Sequence, residues 1–439
     1  MSTKWKVSVA LILASALAAS GCSQRPEKPS AEPSSGKESS TNNSNSSNSS
    51  SPKKTLSMMM NVPDQPVQDV YRQIINDFIK ENPTIGVNIQ FPGSAYENNM
   101  KVKMAANDLP DIFDTHGWAQ VRYGEYLGDL REEPWVKQLT DTIKNVVTDK
   151  NGKVYALPIS EAKDGIMYNV DMLKKYNVEP PQTFDELIAA AEKIKKDSGG
   201  KTTPFFFSGI DESTIGTYFG YFANALLISP ASNSAEDLLK NTFDWSKWTT
   251  LPDKLLDIKN RGLINEDFLT AKRSELPAVF AADKVAFALL GPSFVDAVNK
   301  LKPDMKVGLM PIPSMSASDK PSFSGGERNT LGVWKDSKNI PEAKKLMAFF
   351  AKPENLSKIA NVTKLQSGLK GIESKHELTE YYDKYANTRV LPYFDRVYLP
   401  NGMWSVMSKS GTELLAGRIT SKEYSETMKR EVERLRNNK

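Results

Sequence analysis

From residue 55 onward the chain switches repeatedly between two hydrophobic periods. Residues 55–61 are a short apolar run, 69–81 set Val70, Ile74, Ile75 and Phe78 at helical spacing, and 86–91 alternate apolar with polar. The pattern predicts strand, helix, strand. It continues with strands at 111–113, 165–168 and 204–208 and helices at 183–196, 218–227 and 252–260. Strands at 284–290 and 306–310 follow, then helices at 341–351 and 353–360, with no internal repeat. Met58, Met59 and Met60 read as strand core. Strands separated by helices predict an α/β protein with parallel, helix-covered sheets, in which ligands sit beyond the carboxyl ends of strands.

Length adds a second lobe. The 439 residues exceed the roughly 250–300 at which a single core stops growing. Hydrophobic residues at 39% and charged residues at 25% are ordinary for a water-soluble protein, and a mean hydropathy of −0.46 excludes a polytopic membrane protein. The formal charge is only +4 and no Lys/Arg block concentrates it, so nucleic acid is not an expected partner.

The N-terminus has the layout of a secretory signal at 1–21: Lys4 and Lys6, a mostly apolar run over 7–19, then Ser20, Gly21 and Cys22. The apolar run falls short of the about 20 residues a spanning helix needs. Ala19-Ser20-Gly21-Cys22 resembles the bacterial lipobox, with Ala19 where leucine is usual. That resemblance implies a lipid on Cys22 and a protein anchored on the extracytoplasmic face of the cell membrane. A buried, inert thiol is the alternative for a lone cysteine. With one cysteine no disulfide forms within the chain. Residues 23–54 are dominated by Ser, Asn, Pro, Lys and Glu and lack Leu, Ile, Val and aromatics. They predict a disordered tether with an r.m.s. reach of about 30 Å.

Several stretches together resemble the bacterial extracellular solute-binding proteins, the family that includes maltose-binding protein. They are Leu109-Pro110-Asp111-Ile112-Phe113, KVYALP over 153–158, and Met167-Tyr168-Asn169-Val170-Asp171-Met172-Leu173, where Val170 replaces a usual lysine. Pro180-Pro181-Gln182-Thr183-Phe184-Asp185-Glu186-Leu187 follows. The element at 280–293 carries Asp283, Phe287 and Ser293 for the family's Gly, Met and Trp, and 404–423 contains Ala416-Gly417-Arg418. The resemblance implies a two-lobed, periplasmic-binding-protein-like (type II) fold with a hinge and an interlobe ligand cleft. One lobe would comprise 55–165 and 314–367, the other 168–311 and 372–439. It further implies a monomer without cofactors that captures a carbohydrate and delivers it to an ABC-type permease.

A sugar cleft needs aromatic faces for C–H surfaces and short polar groups for hydroxyls. Asp114, His116 and Trp118 follow the 111–113 strand, at a carboxyl end. Trp118 reads equally as the first apolar residue of a following helix over Val121 and Tyr126. Trp404 corresponds, by resemblance, to a tryptophan that stacks on sugar, and Pro400-Asn401-Gly402 breaks the chain before it; a core position against Met407 is the alternative. Tyr218, Phe219 and Tyr221 are further candidates that also read as a packed helix face. Asn61, Asp64, Glu161, Asp164 and Glu327 stand at strand ends or loops, where surface solvation is the default. Glu327 and Arg328 follow Gly325-Gly326, which would let backbone approach a ligand. Ser293 and Phe294 stand where the family carries a Trp; Phe294 is retained as a candidate.

Rival functions lack marks. A glycosidase needs two carboxylates at catalytic separation, a reading left open for Glu161 and Asp164 with nothing positive to support it. No G-x-S-x-G, H-E-x-x-H, P-loop or post-strand G-x-G-x-x-G occurs; Gly200-Lys201-Thr202 comes nearest, with Lys195 in place of the first P-loop glycine. His116 and His376 are the only histidines and have no metal-ligand spacing around them. The same fold also serves binders of peptide or polyamine, and a surface adhesin, which needs no hinge closure, is the rival outside transport.

Overall fold

The computed structural model describes residues 54–211 and 214–437. The signal segment, Cys22 and the tether as far as residue 53 lie outside the described residues; Lys54, its expected last residue, is the first of a strand.

The first sheet has the strand order β2-β1-β3-β13-β4. Lys54–Met59 (β1) is flanked in parallel by Ile85–Gln90 (β2) and Ile112–Phe113 (β3). Thr330–Val333 (β13) runs antiparallel to β3 and to Leu157–Pro158 (β4). The helix Gln65–Glu81 buries Val67, Tyr71, Ile74, Ile75 and Phe78 on one stripe. Ile340–Phe350 and Pro353–Thr363 pack beside it in the same core. Fully burying one such side chain stabilises by about 1.5–3 kcal/mol.

The second sheet has the order β11-β6-β10-β7. Ile166–Asn169 (β6) is antiparallel to both Val307–Met310 (β11) and Val285–Ala288 (β10), and Thr203–Phe205 (β7) is parallel to β10. Phe184–Asp197 starts as a capping box in which Thr183 and Glu186 satisfy each other's backbone N–H. Around Trp248, which is fully buried, gather rings from the helices Thr214–Leu227 and Ser421–Asn437. Ile228–Ser229 (β8) and Ser232–Asn233 (β9) form a small hairpin.

Both sheets are therefore mixed, which corrects the expectation of parallel sheets. The reversals occur where the chain returns from one core to the other, and a returning strand enters antiparallel.

A third sheet lies between the cores: Val390–Pro392 (β14), Phe323–Glu327 (β12) and Glu161–Asp164 (β5). Ile159 belongs to the first core and Ile166 to the second, Phe323 to the second and Leu331 to the first, Leu369 to the first and Leu378 to the second. The chain thus crosses at 160–165, 324–330 and 370–377. Because Phe323 still packs in the second lobe, the middle crossing lies later than 311–314. At two of these crossings backbone meets backbone. A Cβ on Gly165 would stand 2.2 Å from the Met310 carbonyl oxygen, and one on Gly325 only 1.8 Å from that of Ala162.

Candidate functional site

The lobes face each other where the loop after β3 meets the 393–401 segment. The loop is held from behind. Asp114 is fully buried, and its carboxylate accepts from the backbone N–H of His116 (3.0 Å), that of Thr330 (2.9 Å) and the Asn329 amide (2.8 Å). Burial pushes this carboxyl above its usual range. The Tyr96 hydroxyl donates to the Asp114 carbonyl, and Thr115 Oγ1 lies 2.5 Å from Thr330 Oγ1. All polar capacity of Asp114 is directed inward, so it shapes the loop and offers nothing to a ligand.

His116 adopts φ 31° and Gly117 φ 96°. The His116 ring pairs through Nε2 with Glu97 at 2.8 Å and meets Tyr96 edge-on. Trp118 is nearly buried among Phe113, Tyr123 and Leu127, and the Arg122 guanidinium covers its ring at 4.2 Å. The residues after Trp118 form turns, and Val121 is exposed, so no helix starts there. Arg122 also pairs with Glu97 and donates to Asn401 of the other lobe at 3.0 Å.

From the second lobe, Arg396 stacks over the Tyr393 ring at 4.0 Å and donates to the His116 carbonyl at 3.2 Å. Tyr393 donates to Asp164 at 2.7 Å, and Arg328 reaches the same hydroxyl at 3.5 Å. Tyr221 lies in this group; burial, then Asp164, pushes its phenol well up. Arg328 keeps solvent contact although protein surrounds it, as a cleft residue must; Tyr393, followed by Asp164, raises its pKa against the effect of burial. Asp395 is half-buried and raised by desolvation, with Arg396 opposing.

Trp404 is the second residue of the helix Met403–Leu415, three positions after Asn401. Its half-buried indole lies over Gly216 and Gly220, where a Cβ at 216 would come within 2.8 Å of the ring. Asn61 is half-buried after β1, and its carbonyl accepts from Asn329 at 3.5 Å.

Glu327, at the end of β12, is 1% exposed. One oxygen accepts from the Ala119 N–H at 3.2 Å, and the other is without a partner among the described residues. Burial is the main cause that lifts its pKa to about 7. The ordinary glutamate value of 4.5 applies to the unfolded chain, so the folded state binds the proton more tightly. Stability from this group is full below 4.5 and is lost as pH rises to about 7, a loss of ~3 kcal/mol. Glu327→Gln should therefore raise Tm at pH 8 and change it little at pH 5; equal shifts at both pH values would contradict this.

Five of the sequence candidates lie elsewhere. Phe294 packs edge-on against Phe280 in the second lobe (4.9 Å), and Tyr218 is buried with its hydroxyl on the Leu251 carbonyl (3.1 Å), so both are core. Phe219, between Trp248 and Tyr424, is core as well. Asp64 is exposed at the start of the Gln65–Glu81 helix. Glu161 accepts from Thr140 (2.9 Å) and Thr142 (2.6 Å) beside a separate cavity of about 250 Å³. Three positions apart on β5, Glu161 and Asp164 point to opposite faces; they do not form the paired carboxylates of a glycosidase. Sequence reasoning misses Tyr393, Asp395, Arg396 and Asn401, although the aromatic-acid-base run at 393–396 after Leu391-Pro392 is the kind of signal that marks a binding loop.

Aromatic faces beside carboxylates and guanidinium groups suit a neutral, hydroxyl-rich ligand. Among the described residues no group of three or more His, Cys, Asp or Glu could hold a metal, and no helix is long and apolar enough to cross a membrane.

Comparison with known proteins agrees. The chain is 43% identical over 385 residues to the melibiose/raffinose/stachyose-binding protein MelE of Bacillus subtilis strain 168, covering 88% of this chain and 90% of that protein. Its fold matches a binding protein from Bacillus subtilis in an open conformation with a TM-score of 0.85 at 43% identity, covering 88% of this chain and 98% of the other. It also matches a sugar transporter from Bacillus licheniformis in complex with stachyose, TM-score 0.77 at 45% identity, covering 87% and 100%. Residues 64–356 match the family model described as bacterial extracellular solute-binding protein, and with two lobes that meet across this cleft the chain belongs to that family.

Proposed function

We propose that the chain captures an oligosaccharide of the melibiose, raffinose and stachyose series between its lobes and presents it to an ABC-type permease. The observation that carries this reading is the likeness over nearly the whole chain to a protein named for those sugars. The stachyose complex of a 45% identical protein supports it. Within the cleft, Trp404 and Tyr393 supply faces for the sugar rings, and Asp164, Arg328, Asp395 and Arg396 supply hydroxyl partners. The three crossings act as the hinge, and bound sugar shifts the balance toward closure by its higher affinity for the closed form. A peptide or polyamine ligand would call for denser charge than this cleft holds.

A thermal-shift panel on the purified chain tests the reading. At about 100-fold excess over Kd, raffinose or stachyose should stabilise it by roughly 2.7 kcal/mol and be recovered unhydrolysed. A response to peptides or polyamines alone would remove the carbohydrate. Attachment through a lipid on Cys22, with 23–54 as tether, completes the proposal. Cys22→Ser should release the protein into the medium, since it removes the acceptor of the lipid that anchors the chain; continued retention in the membrane fraction would count against the lipobox.

A further inference from the structure

We infer that the cavity beside Glu161 is a second ligand site, separate from the cleft, and that it takes a small zwitterion: an α-amino acid with its ammonium group on Glu161 and its carboxylate toward Lys163. Glu161 and Lys163 both line this cavity. They stand two apart on β5 and so project from one face of the strand, whereas Asp164 projects from the other and meets Tyr393 in the cleft. The site does not depend on which solute the cleft takes.

The cavity is built around a buried charge. Glu161 is 2% exposed, and its two carboxylate oxygens accept from the Thr140 hydroxyl at 2.9 Å and the Thr142 hydroxyl at 2.6 Å. Among the described residues no lysine, arginine or histidine forms an ion pair with it. Lys364, a buried charge a short way along the chain from the same wall, is by contrast paired with both Asp296 (2.7 Å) and Glu377 (3.3 Å). Hydroxyl donors replace the water that Glu161 has lost but do not offset its charge, so a cation is the partner it lacks. The walls are fixed in advance. The Glu161 N–H donates to the Gln366 carbonyl at 2.7 Å, the Thr140 N–H to that of Gly368 at 3.1 Å and the Lys370 N–H to that of Gln138 at 2.6 Å.

The remaining lining selects the kind of cation. Lys163 is half-buried and has no hydrogen-bond or ion-pair partner of its own among the described residues, and Lys370 is held by Asp141 at 2.7 Å in an exposed pair, which is weak. A bare metal cation would have to sit among these two ammonium groups, and a neutral polyol would leave Glu161 and Lys163 both uncompensated. A zwitterion answers each end. Size points the same way, because about 250 Å³ is below the roughly 300 Å³ at which pockets for drug-sized ligands begin. An oligosaccharide is too large, whereas an amino acid with a short side chain fits, with Leu369 and Ile372 as its apolar wall.

Titration calorimetry of the full chain with glycine and L-alanine tests this, with ethylamine, propionate, glycerol and sodium chloride as the comparison solutes. At least one of the two amino acids should bind saturably, and with the same affinity whether or not raffinose is present in excess. Ethylamine and propionate, which each lack one of the charged groups, should bind about tenfold more weakly or less tightly still, and glycerol and sodium should give no saturable heat. Glu161→Gln should weaken the amino acid by roughly thirtyfold or more, the scale on which a buried charge loses its partner, and Lys163→Met by about tenfold. Silence from both amino acids, displacement by raffinose, equal binding of ethylamine, glycerol or sodium, or an affinity unchanged in the variants would overturn the inference. Lys163 is half-buried at the rim, so its variant carries the test even where Glu161→Gln does not fold.

Discussion

Trp404→Ala should raise the Kd for the bound sugar by roughly two orders of magnitude while the protein still unfolds cooperatively. Losing a stacked indole removes its buried apolar area, about 1.5–3 kcal/mol, and a further ~0.5–1.5 kcal/mol of ring-specific contact. At 1.4 kcal/mol per tenfold, even the lower half of that sum accounts for the loss. The folded state feels less of it. Trp404 is half-buried, and its support is two glycines, Gly216 and Gly220, together with neighbours at the edge of the second core. The interior of that core is instead filled by Trp248, Phe219 and Tyr424. Titration calorimetry gives the Kd and thermal denaturation gives the fold. Unchanged affinity would place Trp404 outside the site, and loss of the cooperative transition would place it in the core.

Legibility in the sequence follows the distance over which each feature is determined. The Gln65–Glu81 helix and the Thr183 cap are readable because their determinants lie within one or two turns of chain. The hinge sheet is not. Its strands read FSGGE, EAKD and VLP, with no alternation, since they are buried by crossing between lobes and not by one sheet face. The candidate site divides in the same way. Asp114, His116 and Trp118 stand out because they follow a strand end. That Asp114 is structural depends on Asn329 and Thr330, more than 200 positions away. Tyr393 and Arg396 lie where short elements and turns give no periodic signal. Phe294 and Tyr218 show the converse limit, because an aromatic in a core and one in a cleft look alike in sequence. Gly325-Gly326 suggests room for a ligand; at Gly325 the approaching group is the backbone of β5.

That last point leads to a substitution at the hinge. Gly325→Ala should destabilise the protein by about 3 kcal/mol, toward the upper end of what an overpacked methyl does in a rigid site. Gly325 lies in the middle strand of the third sheet, paired with Lys163 on one side and Pro392 on the other. A Cβ there meets the Ala162 carbonyl oxygen at 1.8 Å and the Ala162 carbonyl carbon at 2.8 Å, with Val390 at 3.2 Å beyond. No side-chain rotation relieves contact with backbone, so β5 and β12 must separate. The ladder from Ser324–Asp164 to Glu327–Glu161 then weakens. Asp164 and Glu327 ride on those strands, so sugar affinity should fall together with stability. Denaturant unfolding and calorimetry on the same preparation check both. A stability loss under about 1 kcal/mol would mean that the two strands yield without breaking their pairing. A stability loss with unchanged affinity would mean that the cleft does not depend on the register of the hinge sheet. Gly165→Ala provides the parallel case at the other crossing, where the opposing atom is the Met310 carbonyl oxygen; if close backbone packing at the crossings holds the lobes in register, both alanines should lower stability and affinity together.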